Sequence, residues 1–271
     1  MQEKQAELAA KGLKVAVITY DSPAVLRHFA ERRKIGYPML SDTGSKVIRA
    51  FGILNTNVRE GTPFHGVPFP GTYILDARGV VKAKYFEDDY RERVTAGSIL
   101  LREFRVGGSK QTEIRAAHAT IRTSSTNETV FAGSRITLSL ELELPKGVHA
   151  YAPGVEGGYK PIAWTIADSK GLLALPVAYP PGRTAHLKAI GETVPVYENR
   201  VRITRDLVVG MANEIGPAAM KDGLIVEGAL QYQACDAKVC YTPESVPVKW
   251  TFAVQPPDRD RVPAALRGAV Q

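Results

Sequence analysis

Cys235 and Cys240 are the only two cysteines in this 271-residue chain, and four residues separate them. Two thiols this close can cycle between dithiol and disulfide. One thiolate attacks a partner's disulfide and the other resolves the mixed disulfide that results. Drawn out as a strand, the segment would hold the two Cα atoms about 16 Å apart. A disulfide needs roughly 4.4–6.8 Å. The chain must therefore double back, and Asp236-Ala237-Lys238 supplies the turn. So small a ring stabilises by only about 2 kcal/mol through loop closure, and a small ring near the surface exchanges readily. The alternative is a structural disulfide in a non-catalytic interaction module. Zinc would need two further ligands, drawn from distant residues such as His149 and His186. No metal or other cofactor is expected. No histidine adjoins either cysteine in sequence, and Lys238 is the only nearby cation.

The elements that must position this pair read as strands. Ile136, Leu138, Leu140, Leu142 and Leu144 alternate with other residues, as do Val201, Ile203 and Leu207, and then Val246, Val248, Trp250, Phe252 and Val254. Period-two alternation marks strands with one face in a core. Turn residues fall between them at Pro145-Lys146-Gly147, Pro180-Pro181-Gly182 and Asn199-Arg200. Helical periodicity is absent from this half, so residues 113–255 read as an all-β, immunoglobulin-like sandwich. Leu230, Tyr232 and Ala234 alternate up to Cys235, which sets the cysteines at a hairpin on one end of the sandwich. Residues 256–271, with Pro256, Pro257 and Pro263, read as a flexible tail.

Residues 1–104 follow another rhythm. A helix over 1–11 stops at Gly12, and Lys14–Thr19 is an apolar strand. Ser22-Pro23 supplies a helix cap and a first-turn proline. A short extended piece, Tyr37–Leu40, precedes a capped helix from Ser45 to Phe51, and residues 55–71 form a Gly- and Pro-rich loop. Thr72–Asp76 and Val80–Phe86 form a hairpin about Ala77-Arg78-Gly79, and a final helix spans 90–103. This order predicts an α/β unit with one mixed sheet flanked by helices. Residues 105–112, including Val106-Gly107-Gly108-Ser109-Lys110, form a linker.

Composition narrows the function. The net charge of +7 is scattered, apart from Arg32-Arg33-Lys34, and no basic stripe is interleaved with aromatics, so nucleic-acid binding is not expected. No apolar run reaches membrane-spanning length. The first residues, Met1-Gln2-Glu3-Lys4-Gln5, read as polar helix rather than as an export leader. A chain that opens inside a helix reads as truncated.

Two family resemblances follow from these residues. Tyr37-Pro38-Met39-Leu40-Ser41-Asp42 with Gly52-Ile53, and Gly66-Val67-Pro68-Phe69-Pro70-Gly71-Thr72-Tyr73-Ile74-Leu75-Asp76, resemble the alkyl hydroperoxide reductase/thiol-specific antioxidant (AhpC/TSA) branch of the thioredoxin fold. The resemblance implies a thioredoxin-like fold over residues 1–104 and makes Pro70 a candidate cis-proline at a partner-binding edge. That family's reactive cysteine sits at the start of the first helix, and the strand before this helix is also missing here. With no cysteine in residues 1–234, peroxidase chemistry is not available to this unit as given.

Tyr232-Gln233-Ala234-Cys235, Cys240 and Thr242-Pro243-Glu244, with His149-Ala150-Tyr151-Ala152-Pro153-Gly154 and Val194-Pro195-Val196-Tyr197 upstream, resemble the N-terminal domain of the thiol–disulfide interchange protein DsbD and the related disulfide-bond corrector domain. This implies thioredoxin-like or redoxin partners engaged through mixed disulfides, and a periplasmic or other extracytoplasmic setting. It also implies Cys240 as the attacking thiol, Tyr151 lining the site, Tyr232 among the partner-binding residues, and a shielding loop at 184–192. Together the two resemblances imply a polypeptide that joins a redoxin unit to its own electron donor.

Overall fold

The computed structural model describes residues 1–62, 64–86, 94–104, 111–187, 191–255, 263 and 265. The chain divides into two compact units at about residue 100, and each is described by itself. Among the described residues, no helix is long and apolar enough to cross a membrane.

In the first unit a short 3-10 turn, Gln2–Lys4, runs into α1 (Gln5–Ala10), which ends at Gly12 with φ 78°. Then come β1 (Val17–Thr19) and α2 (Pro23–Arg33). Ser22 caps α2 by accepting from the Val25 N–H at 3.4 Å. β2 (Met39–Ser41) pairs parallel with β1, with Ile18 opposite Leu40. The following helix, α3 (Lys46–Ala50), is capped by Asp42, whose carboxylate accepts from the N–H groups of Val47 (3.2 Å) and Ile48 (2.8 Å). Ser45 is left-handed there (φ 56°), and its hydroxyl donates to the Gly66 carbonyl instead. β3 (Gly71–Leu75) and β4 (Val81–Phe86) form the expected hairpin, whose turn is held by the Asp76 carboxylate accepting from the Arg78 and Val80 N–H groups. α4 (Ala96–Phe104) follows and runs across the unit boundary after Leu100; residues 90–93 of its expected span lie outside the described residues.

Two expectations for this unit are corrected. The predicted single mixed sheet is instead two separate two-stranded sheets, β1–β2 and β3–β4. Among the described residues no strand lies between the pairs to join them, so β1 and β3 each have one neighbour. The predicted cis-proline is trans: no cis peptide occurs among the described residues. Trans is the preferred state of an X–Pro bond by about 0.5–1 kcal/mol unless packing demands otherwise. Pro70 sits directly before β3, where its missing N–H leaves no gap in the ladder.

The second unit is a sandwich of three sheets. One holds β11 (Leu172–Ala178), β14 (Arg200–Val209), β8 (Arg135–Glu143), β6 (Thr120–Ser125) and β5 (Thr112–Arg115), in that order. The second holds β10 (Ala163–Ile166), β15 (Leu224–Tyr232), β17 (Glu244–Gln255) and β7 (Thr129–Phe131). The third holds β12 (Arg183–Leu187), β13 (Glu192–Glu198), β9 (His149–Tyr151) and β16 (Ala234–Cys235). The alternation in β8 comes out as read: Ile136, Leu138, Leu140 and Leu142 are all buried, in one core with Ile203, Leu207, Val248, Trp250 and Phe252. Trp164 stacks on Trp250 at 5.5 Å, and the Trp250 indole N–H donates to the Ser124 carbonyl at 2.9 Å.

Part of the positive charge is paired across strands on the five-stranded sheet. Arg202 meets Glu141 at 3.0 Å, Arg200 meets Glu143 at 3.2 Å, and Arg122 also bonds Glu143. Such partly exposed pairs contribute little individually, about 0–1 kcal/mol.

Sequence periodicity missed one helix here, α5 (Ala212–Asp222). Gly216 sits at φ 83° inside it and is followed by Pro217, so two short helical pieces meet at a kink. Neither piece is long enough to establish a 3.6-residue period on its own.

Candidate functional site

The third sheet has two differently used faces. Ala150, Tyr197 and Ala234 point into the main core. Tyr151, Ala185, Val194, Val196 and Cys235 point the other way and form a second buried cluster, with Val155 and Tyr159 packed on it. The cysteines belong to this second cluster. The chain reaches it by changing sheets: β15 pairs with β17 up to Tyr232 opposite Glu244, breaks at Gln233, and continues as β16 against β9.

The doubling-back then occurs as the sequence demanded. Cys235 and Cys240 face each other across an antiparallel bridge, their Cα atoms are 4.0 Å apart, and the sulfurs are bonded. Asp236 builds the turn. Its backbone N–H donates to the Val239 carbonyl, and one carboxylate oxygen accepts from the N–H groups of Lys238 (2.7 Å) and Val239 (2.8 Å). The other oxygen accepts from the Tyr241 hydroxyl at 2.7 Å, and the Tyr241 ring stacks on His118 at 3.8 Å. Gln233 ties the surroundings together: its amide oxygen accepts from the Lys160 N–H and its amide nitrogen donates to the Tyr241 carbonyl. In the sequence Gln233 stands out only as part of the Tyr232–Cys235 motif.

The two sulfurs have unequal access. Cys235 is 1% exposed, whereas Cys240 is solvent-exposed. The hydroxyl of Tyr151 lies 3.4 Å from Sγ of Cys235 and 3.3 Å from Sγ of Cys240. Sulfurs in a disulfide can only accept, so the phenol is the donor. Burial raises the Tyr151 phenol above its ordinary value, which keeps the proton on it. Tyr159 packs over Tyr151 with ring centroids 4.6 Å apart, and its hydroxyl donates to Glu192 at the start of β13. Val155 and Tyr159 thus pack against the cluster that holds Cys235.

The other sequence-selected residues fall elsewhere. Tyr232 is 1% exposed in the main core, on the inward side of β15 with Leu224, Val226 and Leu230. Its place beside the cysteine motif suggested a partner contact; strand parity makes it a packing residue instead. Burial, followed by the nearby Glu244 carboxylate, raises its phenol strongly. Pro70 belongs to the other unit. The expected shielding loop at 184–192 is mostly the β12–β13 hairpin, whose ladder runs from Arg183 opposite Val196 to Leu187 opposite Glu192. Its residues 188–190 lie outside the described residues. No cluster of metal-ligating side chains occurs among the described residues.

One pH dependence follows from the turn. The Tyr241 hydroxyl, then the Lys238 and Val239 N–H groups, hold the Asp236 carboxyl down at about 2. A depressed carboxyl contributes fully above its unfolded value of about 3.9 and loses that contribution as pH falls through about 2. The Lys238 and Val239 amide resonances should therefore keep their positions from neutral pH to about pH 3 and move together near pH 2. A midpoint near pH 4 would contradict the hydrogen bonding described.

The chain thus holds a unit of paired short strands and capped helices, and a sandwich carrying a disulfide between one buried and one exposed cysteine. Residues 1–84 match the AhpC/TSA family, and residues 121–250 match the N-terminal domain of the thiol:disulfide interchange protein DsbD. The chain is similar to chloroplastic peroxiredoxin Q of Arabidopsis thaliana, at 36% identity over 74 residues, which are 27% of this chain and 32% of that protein. The chain thus spans about a third of that relative. Among solved structures, the N-terminal periplasmic domain of ScsB from Proteus mirabilis aligns with 52% of this chain and 51% of its own, at 16% identity and a TM-score of 0.35.

Proposed function

We propose that the sandwich is a thiol–disulfide exchange module in which Cys240 meets the partner and Cys235 is the resolving sulfur. The observation that carries this is the asymmetry of the pair: one sulfur open to solvent, the other buried, with one phenol donating between them. A partner thiolate attacks Sγ of Cys240, the Cys235–Cys240 bond breaks, and the electron pair leaves on Cys235 Sγ. The Tyr151 hydroxyl stabilises that thiolate by a hydrogen bond. In the opposite direction the Cys235 thiolate attacks Cys240 Sγ, the bond to the partner breaks, and the partner leaves as thiolate. Proteins of thioredoxin or redoxin type suit this role, since they carry accessible thiols that form mixed disulfides. The match to the thiol:disulfide interchange family supports the same reading. The first unit contains no cysteine in this sequence, so the exchange is assigned to the sandwich alone.

Redox equilibration of the purified protein against a dithiol/disulfide buffer tests this. A potential above about −300 mV is expected of an exchanging pair. A potential well below that value would make the bond structural.

A further inference from the structure

The cysteine pair has no histidine near it in sequence, but the sheet supplies one. In the order β13–β9–β16, Glu198 stands opposite His149, and His149 stands opposite Cys235. Side chains directly opposite one another in a sheet share a face, with Cβ atoms about 4.5–5.5 Å apart. His149 therefore stands on the same face as Cys235, next to Tyr151, whose ring it meets edge-on at 5.7 Å. It is 7% exposed, and its Nε2 is buried without a hydrogen-bond partner among the described residues. A buried imidazole nitrogen left open costs stability unless some state of the protein uses it. The disulfide has no proton to offer; the thiol formed on reduction does.

We propose that His149 is the proton acceptor for Cys235 in the reduced protein, with Glu198 behind it to support the imidazolium. The step is a plain proton transfer. The Cys235 S–H bond breaks, the proton passes to His149, and the electron pair stays on sulfur as the thiolate that closes on Cys240. In the opposite direction Cys235 leaves as thiolate, and the neutral His149 takes up a proton from solvent beside that charge and passes it to the sulfur.

The charged and titratable groups facing His149 from each neighbouring element agree with this. From β13 comes Glu198, itself bonded to Arg183 of β12 at 3.0 Å. From β16 and its turn come Cys235 and Asp236, and on its own strand is Tyr151. Burial lowers His149 below its ordinary value, while Glu198 and Asp236 act to raise it. The ring is thus held neutral while the disulfide is closed, ready to accept the proton of the Cys235 thiol that reduction forms beside it.

This proposal rests on the exchange reading, but it is tested without any partner. In a Cys240→Ala protein the only thiol is Cys235, and its titration is read from thiolate ultraviolet absorbance. Adding His149→Gln should raise the midpoint by about one pH unit, a roughly tenfold loss of thiolate at neutral pH. An unchanged midpoint in the folded variant overturns the proposal. If His149→Gln does not fold, the unsubstituted protein serves: the His149 ring protons, followed by NMR, should titrate at higher pH in the reduced form than in the oxidised form. Identical titrations would overturn it. Either failure leaves the measured redox potential, and with it the exchange reading, untouched.

Discussion

Replacing Cys240 with Ala should reduce disulfide exchange with a thioredoxin-fold partner to the uncatalysed background, while replacing Cys235 should stop the reaction one step later. The difference follows from access. Cys240 is open to an incoming sulfur, and Cys235 is enclosed by Tyr151, Val194, Val196 and the segment carrying Tyr159. A Cys240→Ala protein keeps a thiol that a protein partner cannot approach in line. A Cys235→Ala protein keeps the accessible sulfur but cannot resolve, so single turnovers should accumulate a covalent adduct. Loss of the bond itself costs only about 2 kcal/mol by loop closure, so both proteins should remain folded, as circular dichroism can verify. Steady-state exchange by Cys240→Ala at the unsubstituted rate would contradict the assignment.

The second large effect is on stability. Gly228→Ala should destabilise the sandwich by about 3 kcal/mol or more, because added bulk in a packed region forces backbone to move. Gly228 lies on β15 opposite Ile166 of β10, and a Cβ there would meet the Thr165 carbonyl oxygen at 2.2 Å. That oxygen is backbone and cannot swing aside, so β10 must shift, and with it Trp164 against Trp250. Gly158→Ala is the control: a Cβ there meets nothing within 4 Å, and a change within about 0.5 kcal/mol is expected. Urea unfolding of both variants measures the difference, and equal midpoints would show that β10 is not packed as described.

The sequence was most legible where the apolar residues of a strand alternate onto one face of it. β8, β14 and β17 could be read from alternation because a shift of one residue would turn every Leu, Ile or Val outward. The turn at Asp236 was legible for a simpler reason: two bonded sulfurs cannot sit on an extended segment. α5 was hidden by Gly216-Pro217, which splits it into pieces too short to show a period. The first unit's strands were found, but whether they join in one sheet depends on pairing partners that no local pattern encodes.

Within the site, local motifs misled where parity decides. Tyr232 and Cys235 are three residues apart, so a continuous strand would set them on opposite faces, and the step between sheets at Gln233 separates them further: Tyr232 joins the main core and Cys235 joins the second cluster. The opposition of His149 and Cys235 is a register between strands distant in sequence. Its one sequence trace is the shared alternation of His149 and Tyr151 in β9, which carries no sign of the strand that pairs with it.

The most direct test maps the covalent intermediate. The Cys235→Ala and Cys240→Ala proteins would each be reduced, mixed with a thioredoxin-fold protein whose resolving cysteine is replaced and whose attacked cysteine carries a thionitrobenzoate disulfide as leaving group, quenched with acid, and digested for mass spectrometry. A mixed-disulfide peptide through Cys240 is expected from the first protein, and none through Cys235 from the second. Adducts of equal yield through either cysteine, or none through Cys240, would contradict the assignment.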